Sequence, residues 1–323
     1  MNDLKLISLD TLYVIIGAML AFVAGRIALN AAHPRRWGSA LFWALLAVVF
    51  LLGKAMPSVV VGYLVVAMVV LASTKQVARS AEEHAPRAER VAEAARLGNH
   101  VFWPALLIPA TAVAGTLMLG GIHVGRVWLV DAKQVTLISL GLGALIALAA
   151  ALRVTGARPL TPLREGARLL ESIGWALLLP QLLAALGGIF SKAGVGEVVA
   201  GLVGQVLPTQ FPFVAVLAYC LGMALFTICM GNAFAAFAVI TGGIGLPLIV
   251  QQHHGNPAIM AGIGMLSGYC GTLLTPMAAN FNIVPVMLLE LPDKHAVIRA
   301  QAPMALVIFT ANVLIMWFCV YRF

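Results

Sequence analysis

The stretch "TPMAANFN", Thr275 to Asn282, lies inside an apolar run from Ala258 to Leu289 that carries no charged residue. Read as one helix, this run of about 32 residues would extend about 48 Å. That is more than tilting absorbs in a hydrocarbon core of about 30 Å. Pro276 has no backbone N–H to donate and turns Thr275 away from helical backbone. Asn280 and Asn282 are costly in lipid unless their amides are paired. All three difficulties vanish if the helix is interrupted. The run therefore predicts a half-helix over 258–274, an unwound link over 275–281 and a second half-helix over 282–291. Irregular backbone at membrane depth survives only inside protein or against a wet cavity, and broken helices mark the binding sites of secondary transporters.

The rest of the chain supports a membrane setting. Of 323 residues, 62% are hydrophobic and only 10% are charged, far below the roughly 25% of a soluble domain. The expected fold class is all-α, a polytopic helical membrane protein with about 8–10 transmembrane segments. Spans are expected near 11–30, 38–54, 56–73, 101–120, 134–152, 168–190 and 303–321, with an interfacial arm at 191–208 and two apolar halves at 211–250. The organisation predicted is an N-terminal scaffold, 1–164, followed by a transport-type half, 165–323. The first apolar stretch has no basic leader and reads as a true span.

The net charge of +8 is spread over the connections and points to membrane topology, with no nucleic-acid partner implied. Arg35, Arg36, Lys75, Arg79, Arg87, Arg90, Arg96, Arg153, Arg158, Arg164 and Arg168 fall on one side. Only Lys5, Lys54, Arg126 and Lys133 fall on the other. The positive-inside rule then makes the polar stretch 75–100 cytoplasmic and both termini external, in a bacterial-type inner membrane. Glu171 and Arg168, near the end of a span, are expected to snorkel toward the interface. Cys220, Cys229, Cys270 and Cys319 lie in apolar segments without metal-type spacing and read as small buried hydrophobes.

A second interruption sits at Gly231-Asn232, within "TICMGNAFAAFAVITGGIGLP", Thr227 to Pro247. Gly-Asn is a turn signal, and Asn232 suits the N-cap of a new helix. If the turn stops near the midplane, free N–H groups of that helix face a cavity and favour an anion. If it reaches the outer surface, it is a plain hairpin connection. The pattern alone leaves both open.

"GNAFAAFAVITGGIGLPLI" followed by "GYCGTLLTPMAANFNIVP" resembles one half of the ion-transporter superfamily of elevator-type carriers, which includes the divalent-anion/sodium symporters. "GGIFSKAGVGEVVAGLV", Gly187 to Val203, resembles the interfacial arm that precedes the hairpin in those proteins. More narrowly, the chain resembles the permease family that supplies one membrane subunit of a two-component 5-oxoproline (pyroglutamate) transporter. The resemblance implies a re-entrant hairpin and a broken helix that bind substrate and ion through Gly231, Asn232, Ala233, Thr275, Pro276, Asn280 and Asn282. Thr227, Ser267 and Thr272 are further candidates. Gly231 and Ala233 stand where the superfamily has hydroxyl residues, so the ion ligation at this tip departs from the pattern. The first 160 or so residues hold no second Asn-tipped hairpin or Pro/Asn-broken run, and the superfamily needs two halves. A separately encoded membrane subunit is therefore the expected partner, besides the lipid bilayer and the small organic anion.

No Asp, Glu, Lys or Arg occurs from Phe211 to Leu289. An anion held here would rest on helix ends, amides and hydroxyls. Coupling to Na⁺ through carbonyl and Asn oxygens near Asn232 and Asn280 suits this segment better than a carboxylate relay for H⁺. No cofactor is implied. No H-E-x-x-H, G-x-S-x-G or paired intramembrane carboxylate is present, so an enzyme is not expected. The expected function is a subunit of a secondary-active transporter; the alternative is a non-transporting accessory or assembly membrane protein.

Overall fold

The computed structural model describes residues 4–80, 87–124, 127–131, 133–206, 208–289 and 291–322. It is that of an all-α polytopic membrane protein. Among the described residues six helical stretches are long and apolar enough to cross a membrane, and Arg36–Leu52 and Ser58–Ser73 are shorter apolar helices. The chain divides into two compact units, Met1–Gly174 and Trp175–Phe323.

The first unit contains α1 (Leu9–Leu29), α2 (Arg36–Leu52), α3 (Ser58–Ser73), α4 (Arg87–Leu97), α5 (Phe102–Met118), α6 (Val135–Thr155) and α7 (Thr161–Ile173). Helices α1 and α2 pack as a pair, with Leu20, Val23 and Ile27 of α1 and Phe42, Trp43 and Leu46 of α2 buried. Helices α5 and α6 pack as another, with Gly115 admitting Ser139 to close contact. The outward faces stay apolar, with Tyr63, Val66, Val113 and Leu117 exposed, as a lipid-facing surface requires. A small three-stranded sheet was not foreseen by the helical reading. Leu4–Ile7 (β1) runs parallel to Val127–Val130 (β3), which pairs antiparallel with His123–Val124 (β2). These runs are too short for a helix, and pairing satisfies their backbone groups.

Two expectations are corrected here. The span foreseen at 168–190 is two helices. Gly174, at φ +56, ends α7, and α8 (Leu179–Lys192) starts after one 3₁₀ turn. The first compact unit ends at Gly174, and α7 packs on α1 within it. Glu171 does not snorkel: it is 4% exposed. Its Oε2 accepts from the Ser80 amide at 3.0 Å and the Ser80 hydroxyl at 2.5 Å, and lies 3.7 Å from His33 Nε2. Burying a carboxylate is tolerable only with such partners, so Glu171 pins the start of the 75–100 connection. Within that connection, residues 87–97 form α4, where Arg96 pairs with Glu93; Glu82 and Glu83 lie outside the described residues.

The second unit holds α8, α9 (Val195–Val206), α10 (Pro212–Met230), α11 (Ala233–Ile240), which continues as a wider π-helix over Thr241–Gln252, α12 (Pro257–Thr272), α13 (Ile283–Leu288) and α14 (Ala296–Cys319). The core gathers Tyr219, Cys220 and Met223 of α10, Ala236, Val239 and Ile240 of α11, Ile244 and Ile249 of the π-helix, Met260 of α12, and Val313 and Met316 of α14. The Tyr219 hydroxyl, fully buried, is paired with Thr241 Oγ1 at 2.9 Å. Small residues let the backbones approach, as in membrane helix packing generally. A side chain at Gly271 would run into the Ala224 carbonyl and the Thr227 Cβ.

Gly271→Val is therefore expected to destabilise the protein by about 1–3 kcal/mol through overpacking, read as a lower thermal unfolding midpoint in detergent. Gly262→Ala, where nothing lies within 4 Å of the added carbon, serves as the control and leaves the midpoint unlowered.

Candidate functional site

Helix α10 ends because Gly231 adopts left-handed backbone, φ 70 and ψ 6, and donates its N–H to the Thr227 carbonyl at 2.7 Å. An L side chain is strained in that conformation. There is no room for one either, since a Cβ would stand 2.5 Å from the carbonyl carbon and oxygen of Met277. The hairpin turn thus meets the link of the broken helix backbone to backbone. Asn232 is extended and caps α11, its Oδ1 accepting from the amides of Phe234 at 2.9 Å and Ala235 at 3.4 Å. The cap consumes two of the N–H groups that a free helix start would offer an anion. The amides of Asn232 and Ala233 have no partner among the described residues. With its oxygen engaged, the Asn232 side chain presents its NH₂ as a donor only.

The long apolar run is broken. Helix α12 stops at Thr272, α13 starts at Ile283, and residues 273–282 between them are turns and irregular backbone. The gap is wider than the predicted 275–281. It is held by Asn282, whose side chain is fully buried. Its Nδ2 donates to the carbonyls of Thr272 at 2.8 Å and Thr275 at 2.6 Å, and its Oδ1 accepts from Gln301 Nε2 at 2.6 Å. Both nitrogen-bound protons and the oxygen of that amide are thus engaged. Thr275, also buried, accepts from the Met277 amide at 3.2 Å through its hydroxyl.

Turn and link together line an open-mouthed cavity of 270 Å³. One wall is Gly231, Asn232, Ala233 and Phe234; the other is Met277, Ala279, Asn280 and Phe281, with Tyr269 and Thr272 of α12 between them. The Tyr269 ring stands edge-on to Phe234 and to Phe281, each at 6.2 Å between centroids. Thr272 donates its hydroxyl proton to the Tyr269 carbonyl at 2.6 Å, leaving its lone pairs available. No lining residue is charged. Among the described residues no group of three or more His, Cys, Asp or Glu side chains could hold a metal ion.

Of the residues singled out from sequence, Gly231, Asn232, Ala233, Asn280 and Thr272 line this cavity. Thr275 and Asn282 stand behind it as supports, and Pro276 is exposed without lining it. Ser267 is buried and donates to the Ile263 carbonyl at 3.0 Å; Thr227 is buried, its hydroxyl without a partner among the described residues. The sequence reading missed Phe234, Tyr269, Met277, Ala279 and Phe281. Phe281 stood beside Asn280 in the decisive stretch and was legible there. Tyr269 precedes Thr272 by one helical turn, the spacing that puts both on one face. Gln301 was missed as well, its only signal being an amide near the start of the last span.

Asn282→Ala removes both donors, to the Thr272 carbonyl at the end of α12 and to the Thr275 carbonyl in the link, at about 1–3 kcal/mol for each buried group so orphaned. The expected result is a lower unfolding midpoint, with proteolysis appearing first within 273–282. Asn280→Ala, at an exposed position without a hydrogen-bond partner among the described residues, leaves the midpoint unchanged.

Residues 10–321 match the model of a family described as a protein of unknown function (DUF979). No curated protein matches the chain, and no solved structure matches it. With the match covering nearly its whole length, the chain belongs to the DUF979 family.

Proposed function

We propose that this protein is one subunit of a secondary-active transporter that carries a small organic anion, 5-oxoproline, across a bacterial-type inner membrane. The observation that carries the proposal is the convergence of a hairpin turn and an unwound helix link on one small uncharged cavity. Breaking a transmembrane helix is costly, and two such breaks meeting at one place are characteristic of substrate sites at membrane depth. The donor-only NH₂ of Asn232 and the free amides of Asn232 and Ala233 suit a carboxylate. Asn280 offers a donor and an acceptor side by side, the complement of a ligand's own amide. The rings of Phe234, Tyr269 and Phe281 suit a compact apolar body between these poles. At 270 Å³ the cavity is of a size for a compact small-molecule ligand.

The cavity is built from one hairpin and one broken helix, so a second, separately encoded membrane subunit supplies the opposing half. The coupling ion is Na⁺ or H⁺, with the uncharged lining suiting Na⁺ held by carbonyl and amide oxygens near Asn232 and Asn280. The termini lie outside and the 75–100 connection lies in the cytoplasm, as the distribution of Arg and Lys requires.

Uptake of labelled 5-oxoproline by cells expressing this chain with its membrane partner tests the proposal. Uptake is expected with both chains and not with this one alone. Asn280→Ala is expected to reduce it more than tenfold, the scale of about 1.4 kcal/mol. Asn232→Asp keeps the cap acceptor but replaces the NH₂ donor with negative charge, so uptake falls at least as far while the inserted amount holds. Uptake that survives both changes removes the cavity from the transport path. Two inserted chains with no uptake of any small anion favour the accessory role instead.

A further inference from the structure

We infer that Gln301 is a positioning residue of this cavity, acting through Asn282 on the link that carries Asn280 and Phe281. The inference rests on the reading of the cavity as a substrate site. Gln301 lies in the first turns of α14 and does not line the cavity. Its Nε2 donates to Asn282 Oδ1 at 2.6 Å. The Asn282 amide is fully buried, and both its protons go to the carbonyls of Thr272 and Thr275. Its oxygen is therefore the one polar atom left to satisfy, and Gln301 satisfies it. An Asn amide is nearly the same shape when flipped. The donor at its oxygen and the two acceptors at its nitrogen together allow one orientation only.

Asn280 and Phe281 are the two residues immediately before this anchor, and both line the cavity. A displaced Asn282 moves them directly. The Asn282 amide N–H also donates to the Ala278 carbonyl at 3.1 Å, and that of Ile283 to the Ala279 carbonyl at 2.9 Å, so the last turn of the link follows the anchor as a unit. At its far end α14 is fixed independently: the Val320 carbonyl accepts from the Asn256 amide at 2.8 Å, and the Tyr321 hydroxyl donates to the Pro212 carbonyl at 3.1 Å. Gln301 thus couples the link to a helix already tied to both α10 and α12.

The test uses Gln301→Leu, which removes the donor, and Gln301→Glu, whose carboxylate oxygens oppose the Asn282 oxygen. Each is purified with its membrane partner and compared with the unaltered protein. Hydrogen exchange of amides 275–284 is expected to quicken roughly tenfold in both variants, with exchange across α10 and α12 unchanged. Affinity for labelled 5-oxoproline is expected to fall roughly tenfold in Gln301→Leu. The loss should vanish in an Asn280→Ala background, because the positioned group is then already gone. Unchanged exchange in 275–284 overturns the inference. So does faster exchange throughout the unit, or an affinity loss that simply multiplies with that of Asn280→Ala, since either makes Gln301 a general stability residue. If the unaltered complex does not bind 5-oxoproline, the substrate assignment fails, and the exchange measurement still decides the role of Gln301.

Discussion

The buried amide of Asn282 is the constraint on which the second unit depends. Ending a helix inside an apolar environment strands carbonyl groups that water would otherwise satisfy. Asn282 gathers two of them, Thr272 and Thr275, onto one side chain and hands its own oxygen to Gln301. Without that arrangement those carbonyls would stand unpaired in an apolar interior. With it, residues 273–282 are free to follow a path no helix could, and that path brings Asn280 and Phe281 to face Asn232 and Phe234.

The two interruptions are built differently and fit together for that reason. At the hairpin, Gly231 takes the left-handed conformation and leaves room for the Met277 carbonyl, while Asn232 turns its oxygen inward to cap α11. Capping does not simply remove the anion-attracting quality of a helix start. Instead it polarises the cap residue: the oxygen is spent on the helix, and the NH₂ is what remains. Around these breaks the packing is dense, with glycines at 264, 268 and 271 set against Tyr219, Met223 and Thr227. A firm core beneath two irregular segments is what holds a small cavity at fixed geometry.

Much of this was legible in the residues. The break was readable because proline and asparagine within an apolar run are penalised in lipid, and the penalty has one structural remedy. The turn at Gly231-Asn232 was readable from turn and cap chemistry. What could not be read was which asparagine does which job. Asn280 and Asn282 are two apart in irregular backbone, where no helical or strand period assigns a direction, and one lines the cavity while the other is buried behind it. The aromatic contribution was hidden for a similar reason, since Tyr269 comes from α12 and Phe234 from α11, and only their packing brings the rings together. The break at Gly174 was missed because flanking apolar residues mask a backbone effect, and the buried Glu171 because its partners, Ser80 and His33, are remote in sequence.

The central claim is that the turn and the link line a wet cavity at membrane depth, and water access tests it most directly. Cysteines placed one at a time at Asn280 and, for comparison, at Leu225, which is 57% exposed on the apolar flank of α10, would be introduced into a background in which Cys229 and Cys319 are replaced by serine and only the buried Cys220 and Cys270 remain. Both would be treated in intact membranes with a membrane-impermeant maleimide applied from each side. The account predicts that Asn280→Cys reacts from at least one side and that Leu225→Cys, facing lipid, does not. An Asn280→Cys thiol as unreactive as the one at Leu225 would contradict it, because the link would then be sealed in an apolar interior with no path for a polar solute.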